Sequence, residues 1–112
     1  MVSEGRLTSE FWVAAYMARL RLADIPHFLR FRGDATAGAV LVCVNTLDGR
    51  ARLYQRGMVF DGPRGWDVLS EGTEADVEAA MVRQRSYDPD VWVIEVEDAA
   101  GRHLLDQDGL AE

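Results

Sequence analysis

Between Phe11 and Ala18 the chain carries eight apolar residues in succession, and charge returns only at Arg19 and Arg21. Thr8 or Ser9 can cap a helix by offering a hydroxyl to an orphan backbone amide, and Leu7 and Trp12 stand at the spacing of a hydrophobic staple. Pro26 pushes Ile25 out of the α region, so the predicted helix runs to about Ala23. A helix that is apolar around its whole circumference needs burial on two sides. Either a small domain wraps it with the sheet and the chain ends, or one flank of the Phe11 to Ala18 helix forms a homodimer or partner interface.

The next apolar positions follow strand periods. Phe28 to Arg32 is a short strand, closed by the turn-rich loop Gly33 to Gly38. Asp48-Gly49, between Ala39 to Leu47 and Arg50 to Gln55, is the dipeptide of a two-residue type I′ hairpin. That turn sets Leu47 opposite Arg50, Asn45 opposite Arg52, Cys43 opposite Tyr54 and Val44 opposite Leu53. One face then holds Val40, Val42, Val44, Ala51 and Leu53 as core. The other holds Asn45, Arg50, Arg52, Tyr54 and Arg56 beside Leu41 and Cys43.

Gly57 to Gly65 reads as a loop with Met58-Val59-Phe60 as a brief extended piece, followed by a strand at Trp66 to Leu69. Thr73 opens a second helix with Glu74 and Asp76 in its first turn and Arg83 and Arg85 in its last, matching the helix dipole, and Pro89 stops it near Ser86. Asp90 to Glu97 is a strand with Trp92, Ile94 and Val96 on one face and Val91, Val93, Glu95 and Glu97 on the other. Arg102 to Leu105 is a short last strand, and Asp106 to Glu112 is polar enough to fray. The expectation is one α+β domain over residues 1–112, its antiparallel sheet built on the hairpin with both helices packed on one face.

Composition narrows the chemistry. The 112 residues suit one hydrophobic core, and the net charge of -7 repels phosphate backbones, so nucleic acid is disfavoured against a basic or neutral partner. All twelve basic residues are arginine, which removes any Schiff base or P-loop lysine. The single cysteine, Cys43, lies in an apolar strand and suits a reducing cytosol. The start of the chain lacks the pattern of a signal peptide and no apolar run is long enough for a bilayer, so a cytoplasmic location is expected.

Glu10 to Tyr16, Arg32-Gly33-Asp34 with Gly38-Ala39-Val40, Leu47-Asp48-Gly49 with Ala51 to Tyr54, and Asp88 to Asp98 arrive in an order spanning nearly the whole chain. Together these blocks resemble the alphaproteobacterial domain-of-unknown-function family numbered 1491. The resemblance brings no established activity with it.

Candidate chemistry falls on two constellations. Arg30 and Arg32 alternate on one strand and Arg50, Arg52 and Arg56 on another, interleaved with Phe28 and Tyr54. On neighbouring strands they would make an anion-binding face, because guanidinium forks bind phosphate or carboxylate bidentately and aromatics stack. Against this, cross-strand pairing of the same arginines with Glu95, Glu97 and other acids is an ordinary stabiliser of sheets. Asp90, Glu95 and Glu97 resemble a metal-nuclease carboxylate set, but Glu97 stands where that chemistry needs lysine. His27 and His103 lack paired metal-ligand spacing, and no serine sits in a glycine-framed elbow.

The pattern points to a non-enzymatic binding or interaction module with neither cofactor nor metal. Its candidate surface is Arg30, Arg32, Asp34, Asn45, Arg52 and Tyr54, and its partner an unknown protein or an anionic small ligand. The competing reading is a small enzyme or a nucleic-acid- or nucleotide-binding factor using the arginine face and nearby carboxylates.

Overall fold

A computed structural model describes residues 8–56 and 65–110. The staple residue Leu7, the extended piece at Met58 to Phe60 and most of the glycine-rich loop lie outside them. Along the chain come α1 (Ser9–Leu22), β1 (His27–Phe31), β2 (Val40–Asn45), β3 (Arg50–Arg56), β4 (Trp66–Thr73), α2 (Glu74–Tyr87) and β5 (Trp92–Glu97). Both helices start where their caps predict. The Thr8 hydroxyl accepts from the Phe11 amide at 3.1 Å and the Thr73 hydroxyl from the Asp76 amide at 3.1 Å. After α1, Asp24 turns through a positive φ of 58° and buried Ile25 precedes Pro26.

The five strands form one sheet in the order β1-β5-β2-β3-β4. Among the described strands only β2 and β5 run parallel, with Val40 to Asn45 facing Trp92 to Glu97 residue for residue. These two central strands are buried on both faces, as parallel strands generally are. Val40, Val42, Val44, Trp92, Ile94 and Val96 pack with Trp12, Val13, Tyr16 and Leu20 of α1. Leu41, Cys43, Ala51, Leu53, Val91 and Val93 pack with Val77, Ala80 and Met81 of α2. The helices therefore cover opposite faces of the sheet, which corrects the expectation that both pack on one face. A strand with apolar residues at every position has two faces to bury, and one helix serves each.

The hairpin differs by one residue from the sequence expectation. Asn45 lies opposite Ala51, Val44 opposite Arg52 and Cys43 opposite Leu53. The Thr46 amide donates to the Arg50 carbonyl at 3.2 Å, leaving Leu47, Asp48 and Gly49 in a three-residue loop. Leu47 (φ 64°) and Gly49 (φ 88°) take the left-handed turns. The Asn45 carboxamide oxygen captures the Leu47 amide at 2.8 Å and the Thr46 hydroxyl donates to Asp48 at 2.6 Å, so polar side chains select the longer loop. Because strand period is two, this one-residue slip puts Ala51 and Leu53 with Leu41 and Cys43 on the α2 face. Arg52 and Tyr54 lie instead with Val42 and Val44 on the α1 face.

Two further elements depart from expectation. β4 extends through Ser70-Glu71-Gly72 to Thr73, since its backbone ladder with Arg50 to Leu53 needs no apolar side chains. Residues 101–110 are turns and not a strand, and the end of the chain is docked down to Leu110. Leu105 and Leu110 join the α1 core, the Tyr16 hydroxyl donates to the His103 carbonyl at 2.8 Å, and the Trp66 indole donates to the Leu110 carbonyl at 2.8 Å. α1 thus obtains a second wall from this terminal segment, while Phe11, Ala14 and Leu22 on its outer side stay exposed.

Candidate functional site

The six candidate residues do not share one surface. β1 carries a bulge between Leu29 and Phe31, so Arg30 leaves the alternation and turns to the α2 face while Arg32 turns to the α1 face. Arg30 Nη1 donates to Glu95 at 2.8 Å and its Nη2 to Glu78 of α2 at 2.9 Å. The hydrogen bond to Glu78, followed by that to Glu95, holds the guanidinium pKa above its ordinary value although burial works against it. Arg32 pairs with Glu10 and lies over the Trp92 ring at 5.1 Å. Asp34 serves the loop that follows β1. Its carboxylate accepts from the amides of Thr36 and Ala37 at 3.1 and 2.9 Å, and its carbonyl accepts from the Trp92 indole at 2.7 Å.

Arg30 and Asn45 line one groove, of about 280 Å³, with Cys43, Glu74, Glu78 and Glu95. Asn45 is buried and donates from Nδ2 to Glu74 at 3.1 Å, tying β2 to the start of α2. Burial, and then the Glu95 charge, pushes the Cys43 thiol up to about 12, so it behaves as a core hydrophobe. Glu95 is consumed by Arg30, and among the described residues no group of histidine, cysteine and acids is arranged to hold a metal ion.

Arg52 and Tyr54 line a second groove on the opposite face, of about 390 Å³, between β3, β4 and the turn after β5. Arg50, Asp48, Glu71, Gly101 and His103 complete its walls. Arg52 Nε donates to Glu71 at 3.0 Å, while its Nη1 approaches the Tyr54 hydroxyl at 3.4 Å. The Arg50 guanidinium makes no ion pair within 4.0 Å among the described residues, although its charge helps hold the neighbouring Asp48 carboxyl below its ordinary value, behind the hydrogen bond from Thr46. His103 meets Tyr54 edge to face at 4.9 Å and accepts the Leu105 amide at Nδ1. Burial, helped by Arg52 and opposed by Asp106, holds its pKa below the usual histidine value, so the ring is neutral and carries its proton on Nε2.

The pairing of sheet arginines with acids accounts for Arg30, Arg32 and Arg52, while Arg56 stacks against Trp12 and Trp66 at 5.0 and 5.3 Å. Sequence reasoning missed His103, Glu71 and Glu78. His103 reads as a surface histidine near a strand end, and only the folding of the terminal segment against β3 brings it to Tyr54. Glu71 was legible only through the true length of β4.

The fold has solved counterparts. A crystal structure of a DUF1491 family protein from Caulobacter crescentus CB15 is 41% identical, superposes with a TM-score of 0.82, and matches over 90% of this chain and 96% of that one. The NMR structure of a DUF1491 family protein from the same organism is also 41% identical, with a TM-score of 0.77 over 89% and 93% of the two chains. Protein Atu0922 from A. tumefaciens, solved in solution, is 28% identical with a TM-score of 0.71 over 82% and 86%. No curated protein matches the chain. Residues 7–106 match the family model described as a protein of unknown function, so the chain belongs to the DUF1491 family.

Proposed function

We propose that this protein is a non-enzymatic binding module, and that its ligand is a small anion, a carboxylate or phosphate, held in the groove of Arg50, Arg52, Tyr54 and His103. One observation carries the reading: two alternate arginines of β3 face one cleft whose walls include an aromatic ring and an imidazole, and Arg50 makes no direct ion pair among the described residues. Arg50 is a ready anion contact, and Arg52 keeps donors beyond the Nε that Glu71 occupies. Asp48 and Glu71 at the rim make a highly charged polyanion a poorer fit than a compact one, in keeping with the net charge of -7. The module reading draws further support from Cys43, whose raised thiol is a weak nucleophile, and from Glu95, which is bound to Arg30.

The test is an amide-shift NMR titration with inorganic phosphate and, separately, with adenosine monophosphate. Saturable shifts centred on Arg50 to Tyr54 and Ala100 to His103, abolished by Arg50→Ala with Arg52→Ala, are expected. Absence of saturable shifts there would refute the reading, and stabilisation by magnesium together with the nucleotide would favour an enzyme.

A further inference from the structure

We infer that α1 is a self-association surface, through which two copies of this chain pack their outer helix faces antiparallel about a two-fold axis. The inner face of α1 buries Trp12, Val13, Tyr16 and Leu20, yet its outer face is also apolar. Phe11 is 60% and Leu22 86% exposed, and between them lie exposed Ala14 and half-buried Ala15 and Ala18. Positions 11, 14, 18 and 22 repeat at the spacing of a single helix face, a stripe of about 16 Å at 1.5 Å rise per residue. Large side chains stand at its two ends and alanines at its middle, a profile that lets two helix axes approach closely where they cross. None of these residues lines the anion groove, so the inference stands apart from that reading.

Charge selects both the occupant and its direction. Glu10 and Arg21 flank the same edge of the stripe at opposite ends, and both are exposed. Among the described residues the Arg21 guanidinium meets no acid, while Glu10 engages Arg32 through one carboxylate oxygen. A two-fold interface is isologous, so residue i meets j and j meets i. In the antiparallel arrangement Phe11 meets Leu22 of the partner subunit, Ala14 meets Ala18 of the partner subunit, and Glu10 meets Arg21 of the partner subunit, each pair occurring twice. A parallel arrangement would place this edge on opposite sides of the two-fold axis, so that Glu10 and Arg21 could not meet. The stripe is therefore complementary to a second copy of itself.

Sedimentation equilibrium of the full chain tests this directly. The wild type should show a dimer mass that dissociates on dilution. Leu22→Arg, at a solvent-facing position that leaves the core intact, should weaken association by about tenfold or more. Arg21→Glu should weaken it as well, and Glu10→Arg combined with Arg21→Glu should recover most of the loss, with circular dichroism checking that each variant is folded. A monomer at every concentration overturns the proposal. So does a dimer indifferent to Leu22→Arg, which would lie on another surface, and failure of the charge swap to recover association overturns the antiparallel pairing.

Discussion

Removing the Arg30 side chain should cost this domain far more than the loss of a surface ion pair. Glu95 projects from a central strand with its side chain only 10% exposed, and Arg30, 24% exposed, is the cation that faces it at 2.8 Å. Arg30→Ala strands that carboxylate and also frees Glu78, which ties β1 to α2 through the same guanidinium. Breaking a buried pair from one side typically costs about 3–5 kcal/mol. Partial access of water through the adjoining groove brings the expectation to the bottom of that range or just below it, about 2–3 kcal/mol. For a chain of this length that corresponds to a fall in Tm of roughly 10 °C. Urea unfolding of the wild type, Arg30→Met, Glu95→Met and the double variant Arg30→Met with Glu95→Met closes the cycle, with Arg30→Ala measured beside it. The double variant should come within about 1 kcal/mol of the wild type, since an apolar pair has no desolvation penalty to recover. A loss below about 0.5 kcal/mol for Arg30→Ala, the range of an exposed pair, would refute the reasoning by showing that water already solvates Glu95.

Two more outcomes follow from the geometry. A Cβ on Gly33 would sit 2.2 Å from the Asp90 carbonyl oxygen and 2.8 Å from the Trp92 amide, both backbone, so Gly33→Ala should destabilise by about 1–3 kcal/mol or more in urea. Gly65→Ala, in open space, should stay within about 0.5 kcal/mol of the wild type. His103 predicts a pH dependence: its folded pKa is depressed, so below the unfolded value near 6.5 the unfolded chain takes up a proton that the folded one refuses. Its contribution is complete above about pH 6.5 and is lost as pH falls from there through the folded value. His103→Gln should flatten this slope in urea midpoints measured between about pH 5 and 7, and an unchanged slope would count against it.

Much of the local structure is legible in residue order. Thr8 and Thr73 mark both helix starts by a short-range hydroxyl-to-amide bond, Pro26 and Pro89 mark the ends, and alternation assigns the two faces of β5 correctly. These signals act within a few residues, where propensity and capping dominate. The candidate site was less legible. The Asp48-Gly49 pair announces a reversal but not its length, because Asn45, Thr46 and Asp48 choose the loop through side-chain bonds that compete with the two-residue turn. That single residue decides which side of the sheet Arg52 and Tyr54 occupy. The bulge at Arg30 separates it from Arg32 in the same way, for a break in alternation depends on the partner strand.

By itself, then, the order of residues determined the α+β class, the helix boundaries, the central hairpin, an arginine-only cation set and an apolar first helix in need of two walls. Tertiary structure alone decided that a second wall for α1 is the segment ending at Leu110, that the helices take opposite faces, that β5 inserts parallel to β2, and that Arg30 and Asn45 fall in one groove, Arg52 and Tyr54 in another, and Arg32 and Asp34 in neither. The physical reason is range. Caps and turns are satisfied by near neighbours, whereas strand order, register and the pairing of Arg30 with Glu95 are settled by which distant surfaces exclude water together.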